Sequence, residues 1–197
     1  MDADEQVLCP DPLVATALSI VQGNDEAGLS ELERLLKTYP IDPRLHFLKG
    51  SVLAGIQRYE EGRSAMQQAV AIAPGYELAR FQLGFLELTS GMPADAAATW
   101  AAFAQLDEAA PFRLLSSGLN ALVRDDFAEA DRLVKLGMKA NTEHPLVNGD
   151  MQLLLDEVRD TIAVAAPAEP PIEEPGSAAH QLLQHFELKD SISKLRH

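Results

Sequence analysis

The sequence is poor in residues on which several kinds of protein depend. It has one cysteine, Cys9, in 197 residues. An internal disulfide and a thiolate metal cage are therefore excluded, and nothing points to an oxidising compartment. Basic residues are scarce: sixteen Lys and Arg stand against thirty Asp and Glu, for a net charge of −14. A surface that neutralises phosphates needs a basic stripe that survives in the sum, so nucleic acid is excluded as a partner. An anionic membrane is disfavoured for the same reason. No apolar run approaches the roughly 18 residues of a membrane helix. Met1-Asp2-Ala3-Asp4-Glu5 places acids where a secretory leader carries Lys or Arg, which predicts a cytoplasmic protein. Aromatics are few, at 6%, yet 47% of positions are apolar, enough for a core and too many for a disordered or collagen-like chain.

The patterns that carry catalysis are missing too. His46, His144, His180, His185 and His197 are scattered, and the five-residue step from His180 to His185 does not make an i, i+4 ligand pair. Cys9 has no histidine near it in sequence, so it lacks the base that activates a nucleophilic thiol. The acid pairs Glu60-Glu61 and Asp125-Asp126 point apart on a helix, and their position suits N-terminal dipole compensation. No glycine-rich phosphate loop is present. The expectation is a protein that is not an enzyme, with no metal and no cofactor.

What is present is a period. Gly50, Gly84 and Gly118 are 34 residues apart, and so are Gly28, Gly62, Ala96 and Ala130. Tyr59, Pro93 and Phe127 form a third series with the same step, and Pro40 and Pro74 a fourth. Within each period the apolar spacing is helical. Leu45, Phe47, Leu48, Val52 and Leu53 mark one helix, and Met66, Ala69, Val70 and Ile72 the next, with a break at Gly55–Tyr59. The unit is a helical hairpin.

Asp11-Pro12 and Asp42-Pro43 place an N-cap acceptor before a proline at the first helical position. Lys37 and Lys139 fall in last turns, where a cation suits the helix dipole. Helix pairs are predicted at 12–22 and 25–38, 43–55 and 59–72, 76–90 and 93–106, and 112–124 and 127–140. A further amphipathic helix follows from Pro145, with Leu146, Val147, Met151, Leu154, Leu155 and Val158 on its apolar face.

These residues resemble the tetratricopeptide repeat family. The family repeats every 34 residues, with a small residue at the crossing point of each helix, an aromatic beginning the second helix and a proline near the end. Gly50, Gly84 and Gly118 match the first-helix small position, Gly28, Gly62, Ala96 and Ala130 the second-helix one, and Trp100 a bulky position farther along. Thr16 departs from the glycine series in the first repeat, and the third and fourth repeats lack the terminal proline. The resemblance implies an all-α, right-handed superhelical solenoid. It divides into an N-terminal arm (1–8), four repeats over 9–142 (9–42, 43–76, 77–110 and 111–142) and a capping helix (143–162). The composition then shifts to Pro, Ala and Glu, a disordered linker over 163–179, before an amphipathic tail at 180–197. A two-helix unit cannot bury its own apolar face, so several copies and a cap with a polar outer face are required.

In this family the first helices line a concave groove. The resemblance puts Leu13, Ala17 and Ile20 there from the first repeat, Phe47 and Ser51 from the second, Phe81, Phe85 and Leu88 from the third, and Leu115, Leu119 and Leu122 from the fourth. That is an apolar trough, with Arg44, Arg80 and Arg113 near the helix starts as a basic rim. The family's carboxylate clamp, built from Lys, Asn and Arg on this inner face, is not matched. The resulting expectation is a bacterial-style adaptor or scaffold for an apolar or amphipathic peptide of a protein partner. Two alternatives stand beside it: an acidic chaperone of hydrophobic clients such as those of secretion systems, or a self-assembling protein. In the last, Leu182, Leu183 and Phe186 of the tail dock in a groove, in cis or in trans. The body to residue 161 holds −12 of the charge, so basic flanks such as Lys189, Lys194 and Arg196 suit a docking segment.

Overall fold

The computed structural model describes residues 8–165, with side chains placed through Arg159. Among these residues the chain is all-helical, without a strand. The helices are α1 (Asp11–Gly23), α2 (Asp25–Thr38), α3 (Pro43–Gly55), α4 (Tyr59–Ile72), α5 (Glu77–Thr89), α6 (Pro93–Trp100), α7 (Pro111–Val123), α8 (Phe127–Ala140) and α9 (Pro145–Ala165). A 3₁₀ segment, Ala101–Gln105, follows α6. The chain forms two compact units, one running through Leu86 and the other starting at Glu87. The division falls inside α5, not at a repeat boundary.

In the first unit α1 packs on α2, α2 on α3 and α3 on α4. Ala17, Val21, Leu32, Leu35, Leu45 and Leu53 form its core. The α3–α4 crossing is set by backbone contact. A Cβ on Gly50 would lie 2.9 Å from the Gly62 carbonyl oxygen, and one on Gly62 would lie 3.0 Å from the Gly50 carbonyl oxygen. In the second unit α7 crosses α8 in the same way: a Cβ on Gly118 would meet Val134 N at 3.0 Å and Ala130 O at 3.2 Å.

The first hairpin departs from this register. Gly62 faces Ala54, whose counterpart one period earlier is Ile20, yet Gly28 faces Val21, with its Cβ position 2.8 Å from Val21 Cα. Thr16, where the glycine series lapses, is exposed. With no glycine at the crossing on α1, Gly28 alone provides the close approach, and α1 settles one residue out of phase.

A further 34-residue series appears in the turns. Gln57 (φ 65°), Gly91 (φ 79°) and Asp125 (φ 58°) are left-handed. Each closes a Schellman motif. Gln57 and Arg58 N–H donate to Ala54 and Leu53 carbonyls, Gly91 and Met92 to Leu88 and Glu87, and Asp125 and Asp126 to Leu122 and Ala121. Only one of the three residues is glycine, so the residue types do not repeat although the turn does.

Three boundaries differ from expectation. Asp11 does not cap α1; it is the first helical residue, after Pro10, and no side chain caps that end. The sixth helix gives way to 3₁₀ geometry after Trp100. In a 3₁₀ segment residues three apart eclipse, which puts both Trp100 and Phe103 on one buried face. The capping helix runs to Ala165, past the expected linker boundary at 163. Asp42, Lys37 and Lys139 lie where expected.

Asp42 does more than cap. Its buried carboxylate accepts from Arg44 N (2.9 Å), Arg44 Nε (3.0 Å), Arg44 Nη2 (2.7 Å) and Cys9 N (2.9 Å). Arg44 in turn donates to the Cys9 carbonyl and to Asp11, each at 2.6 Å. One carboxylate and one guanidinium thus tie the segment before α1 to the start of α3. Burial would push the Asp42 carboxyl up, but the Arg44 guanidinium and the two backbone N–H groups outweigh it and hold the carboxyl below its ordinary range.

Gly50→Ala should destabilise by about 1–3 kcal/mol, because backbone atoms on α4 must move. Gly149→Ala, where a Cβ meets nothing within 4 Å in mid-helix, should stabilise by about 0.5–1 kcal/mol. Urea unfolding of the two variants checks both signs. Asp42→Ala should cost about 2–3 kcal/mol at pH 7, from a lost cap and a charge-assisted cluster. Because the folded carboxyl is depressed, this contribution is full above the unfolded value of about 3.9 and disappears as pH falls through the folded one. The stability gap between wild type and Asp42→Ala should therefore close on acidification below about pH 4.

Candidate functional site

The structure places the expected groove residues unequally. In the first unit Leu13 is exposed, and Phe47 and Ser51 are half-buried. The Phe47 ring meets Tyr76 edge-on at 5.4 Å and 63°, and burial pushes the Tyr76 hydroxyl above its ordinary range. Ser51 Oγ donates to the Phe47 carbonyl at 3.0 Å, so its hydroxyl is engaged within its own helix. Phe81 and Phe85 stack at 6.3 Å, and both are fully buried.

In the second unit Leu88, Leu115, Leu119 and Leu122 are buried as well. The open trough expected from these positions is thus corrected. Phe81, Phe85, Leu88, Leu115, Leu119 and Leu122 are not solvent-facing. Periodicity identifies an apolar face, but not whether that face is covered. Covering a large apolar side chain gains about 1.5–3 kcal/mol, so a face with a neighbour in reach is closed. The tail residues Leu182, Leu183 and Phe186 lie outside the described residues.

The expected basic rim is also put to other uses. Arg44 is held by Asp42 and Asp11. Arg80 Nη2 donates to the Pro74 carbonyl at 3.1 Å, and His46 Nε2 pairs with the Pro40 carbonyl at 2.7 Å one period earlier. Arg113 Nη1 donates to the carbonyls of Leu106 (2.6 Å) and Ala104 (3.2 Å). Each guanidinium secures the loop preceding its own helix.

A concavity lies in the second unit, among α7, α8 and α9. It is a cleft of about 330 Å³. Gly118, Leu119 and Leu122 come from α7, Phe127, Ala130, Asp131 and Val134 from α8, and Leu154, Leu155, Val158 and Arg159 from α9. Two expected groove residues, Leu119 and Leu122, are therefore brought together, but against the capping helix. Small residues make the space: Gly118 and Ala130 meet at the α7–α8 crossing and carry no side chain long enough to fill it. Asp131 is paired with Lys135 at 2.7 Å and Arg159 with Asp156 at 3.0 Å, which leaves apolar carbon as the dominant lining.

The α8–α9 turn that aims α9 is an asparagine network. Asn141 Nδ2 donates to Asn148 Oδ1 and to the His144 carbonyl, both at 2.8 Å. Asn148 Nδ2 donates to the Asn141 carbonyl at 2.9 Å and the Met138 carbonyl at 3.1 Å. The His144 ring stacks on Phe112 at 5.6 Å. Leu154, Leu155 and Val158 were legible as an apolar helix face. Phe127 was legible as an aromatic of the 34-residue series. That they meet Leu119 and Leu122 around a gap had no signal in the sequence.

Chemically the cleft offers contact area and no reacting group. Among the described residues no cluster of His, Cys, Asp and Glu could hold a metal ion. The Cys9 thiol is buried, and burial, with the Asp42 carboxylate adding to it, pushes its pKa up, away from the thiolate that a nucleophile requires. Among the described residues no helix is long and apolar enough to cross a membrane. Compared with protein-family models, curated proteins and solved structures, the chain matches none. The assignment of Arg113 as a loop clamp has a direct check. Arg113→Ala should cost about 0.5–1.5 kcal/mol in thermal or urea unfolding, and it should leave affinity for an apolar peptide unchanged.

Proposed function

We propose that this chain is a tetratricopeptide-like helical-repeat protein, stacked as a right-handed solenoid, that binds an apolar or amphipathic segment of a protein without catalysing a reaction. The 34-residue small-residue series supports the repeat reading, and the left-handed turns at Gln57, Gly91 and Asp125 support it independently. The observation that carries the binding reading is the apolar cleft among α7, α8 and α9. Its lining is aliphatic apart from Phe127, Asp131 and Arg159. A site of this composition recognises side chains by burial, and it selects a helix that presents two or three apolar residues on one face. From the face expected of the first helices the cleft takes Leu119 and Leu122, and the other large side chains expected there are not in its lining.

Phe127 is the residue to change. It is half-buried at the first position of α8, so its loss disturbs the core less than loss of Leu119 or Leu154. Phe127→Ser should weaken a designed amphipathic helical peptide about tenfold, the equivalent of 1.4 kcal/mol, with helicity unchanged by circular dichroism. The measurement is a titration followed by calorimetry or fluorescence anisotropy. Unchanged affinity in the Phe127→Ser protein would remove the cleft from the binding reading.

A further inference from the structure

Resting on that reading, we infer that the occupant of the α7–α8–α9 cleft is this chain's own segment around Leu182, Leu183 and Phe186, docked in cis. The first argument is composition. The cleft needs a short segment with two or three large apolar side chains on one helical face. Leu182, Leu183 and Phe186 supply them at steps of one and three, with Gln181, Gln184 and Glu187 left for the opposite side.

The second argument is reach. Helix α9 ends at Ala165, and its residues Leu154 to Arg159 line the cleft, so the chain leaves the described structure within two turns of the site. Sixteen residues lie between Ala165 and Leu182. Extended at about 3 Å per residue, they span about 50 Å, more than the roughly 30 Å length of α9 itself. The tether neither prevents the return nor dilutes the segment far from the site.

The third argument is magnitude. A cleft of about 330 Å³ takes only a few side chains, so the freedom a separate molecule loses on binding weighs heavily against the contact. A tether of this length holds its end at an effective concentration of order 1 mM, so even a contact with millimolar affinity is populated. An untethered partner offering the same side chains would need to reach that concentration in solution. The segment on the same chain therefore has the advantage, and a stronger partner peptide would act by displacing it.

The test is amide hydrogen exchange on the full chain and on its Leu182→Ser/Phe186→Ser variant. Both changes lie outside the described residues and alter none of the buried core side chains named above. In the variant, exchange at Leu154 to Arg159 and at the start of α8 should speed up about fivefold, the protection conferred by a segment docked about four-fifths of the time. Added to that variant, a synthetic peptide of residues 178–191 should restore protection at the same amides, and a peptide carrying the two serines should not. Protection in the full chain should be unchanged on tenfold dilution. Equal exchange in both proteins would overturn the inference. So would peptide protection confined to Phe47 and Ser51, or protection that fades on dilution, which marks docking between copies. If the tail peptide fails while a designed amphipathic peptide still binds in a Phe127-dependent way, the binding reading stands and only the occupant is wrong. If neither binds, both fall.

Discussion

The structure depends on how closely pairs of helices approach. At the α3–α4 crossing a Cβ at Gly50 or Gly62 would press on the other residue's carbonyl oxygen, and at α7–α8 Gly118 sits against backbone atoms of Val134 and Ala130. Such short separation leaves each hairpin with little interior of its own. Its large side chains must find cover on the next helix, as Leu32 and Leu35 of α2 do in one core with Leu45 and Leu53 of α3. The small residues thus decide the packing of the large ones. Where the small residue lapses, at Thr16, the hairpin shifts by one residue and α1 keeps only Ala17 and Val21 in the core.

The same crossing accounts for the cleft. Gly118 and Ala130 allow α7 and α8 to close on each other, and Val134 and Leu119 flank the contact. Helix α9 then packs on α8, its angle held by the Asn141–Asn148 hydrogen bonds, and its apolar face comes down over residues too short to meet it. A gap lined by Leu154, Leu155 and Val158 is the consequence. The cleft is a packing remainder at the last helix of the described residues.

Charge plays a local part in this fold. Most ion pairs of the described residues are exposed i, i+3 or i, i+4 pairs, such as Glu31–Arg34 and Glu129–Arg132, each worth a few tenths of a kcal/mol. Asp42–Arg44 differs because the carboxylate is buried and accepts four hydrogen bonds. Left without Arg44 it would be a costly buried anion, and left without Asp42 the Cys9 amide would lose its acceptor. Apart from Asp42, Glu87 and Asp150, the acids of the described residues are exposed or partly exposed, where their charge bears on solubility.

The sequence by itself determined the helices, because helix formation is local. The 3.6-residue apolar spacing, Asp42 before Pro43, and the glycine and alanine series placed α2, α3, α4 and α8 at their observed bounds. It also determined which residues permit close crossings, since absence of a Cβ is a property of the residue alone. Tertiary structure decided what no local signal encodes. It decided that Phe81, Phe85 and Leu88 are covered, and that Arg44, Arg80 and Arg113 each hold a loop. It put α1 one residue out of phase, and it made Leu119 and Leu122 meet α9 around an open space. Exposure and concavity are sums over neighbours from several helices, and a periodic pattern specifies one face at a time.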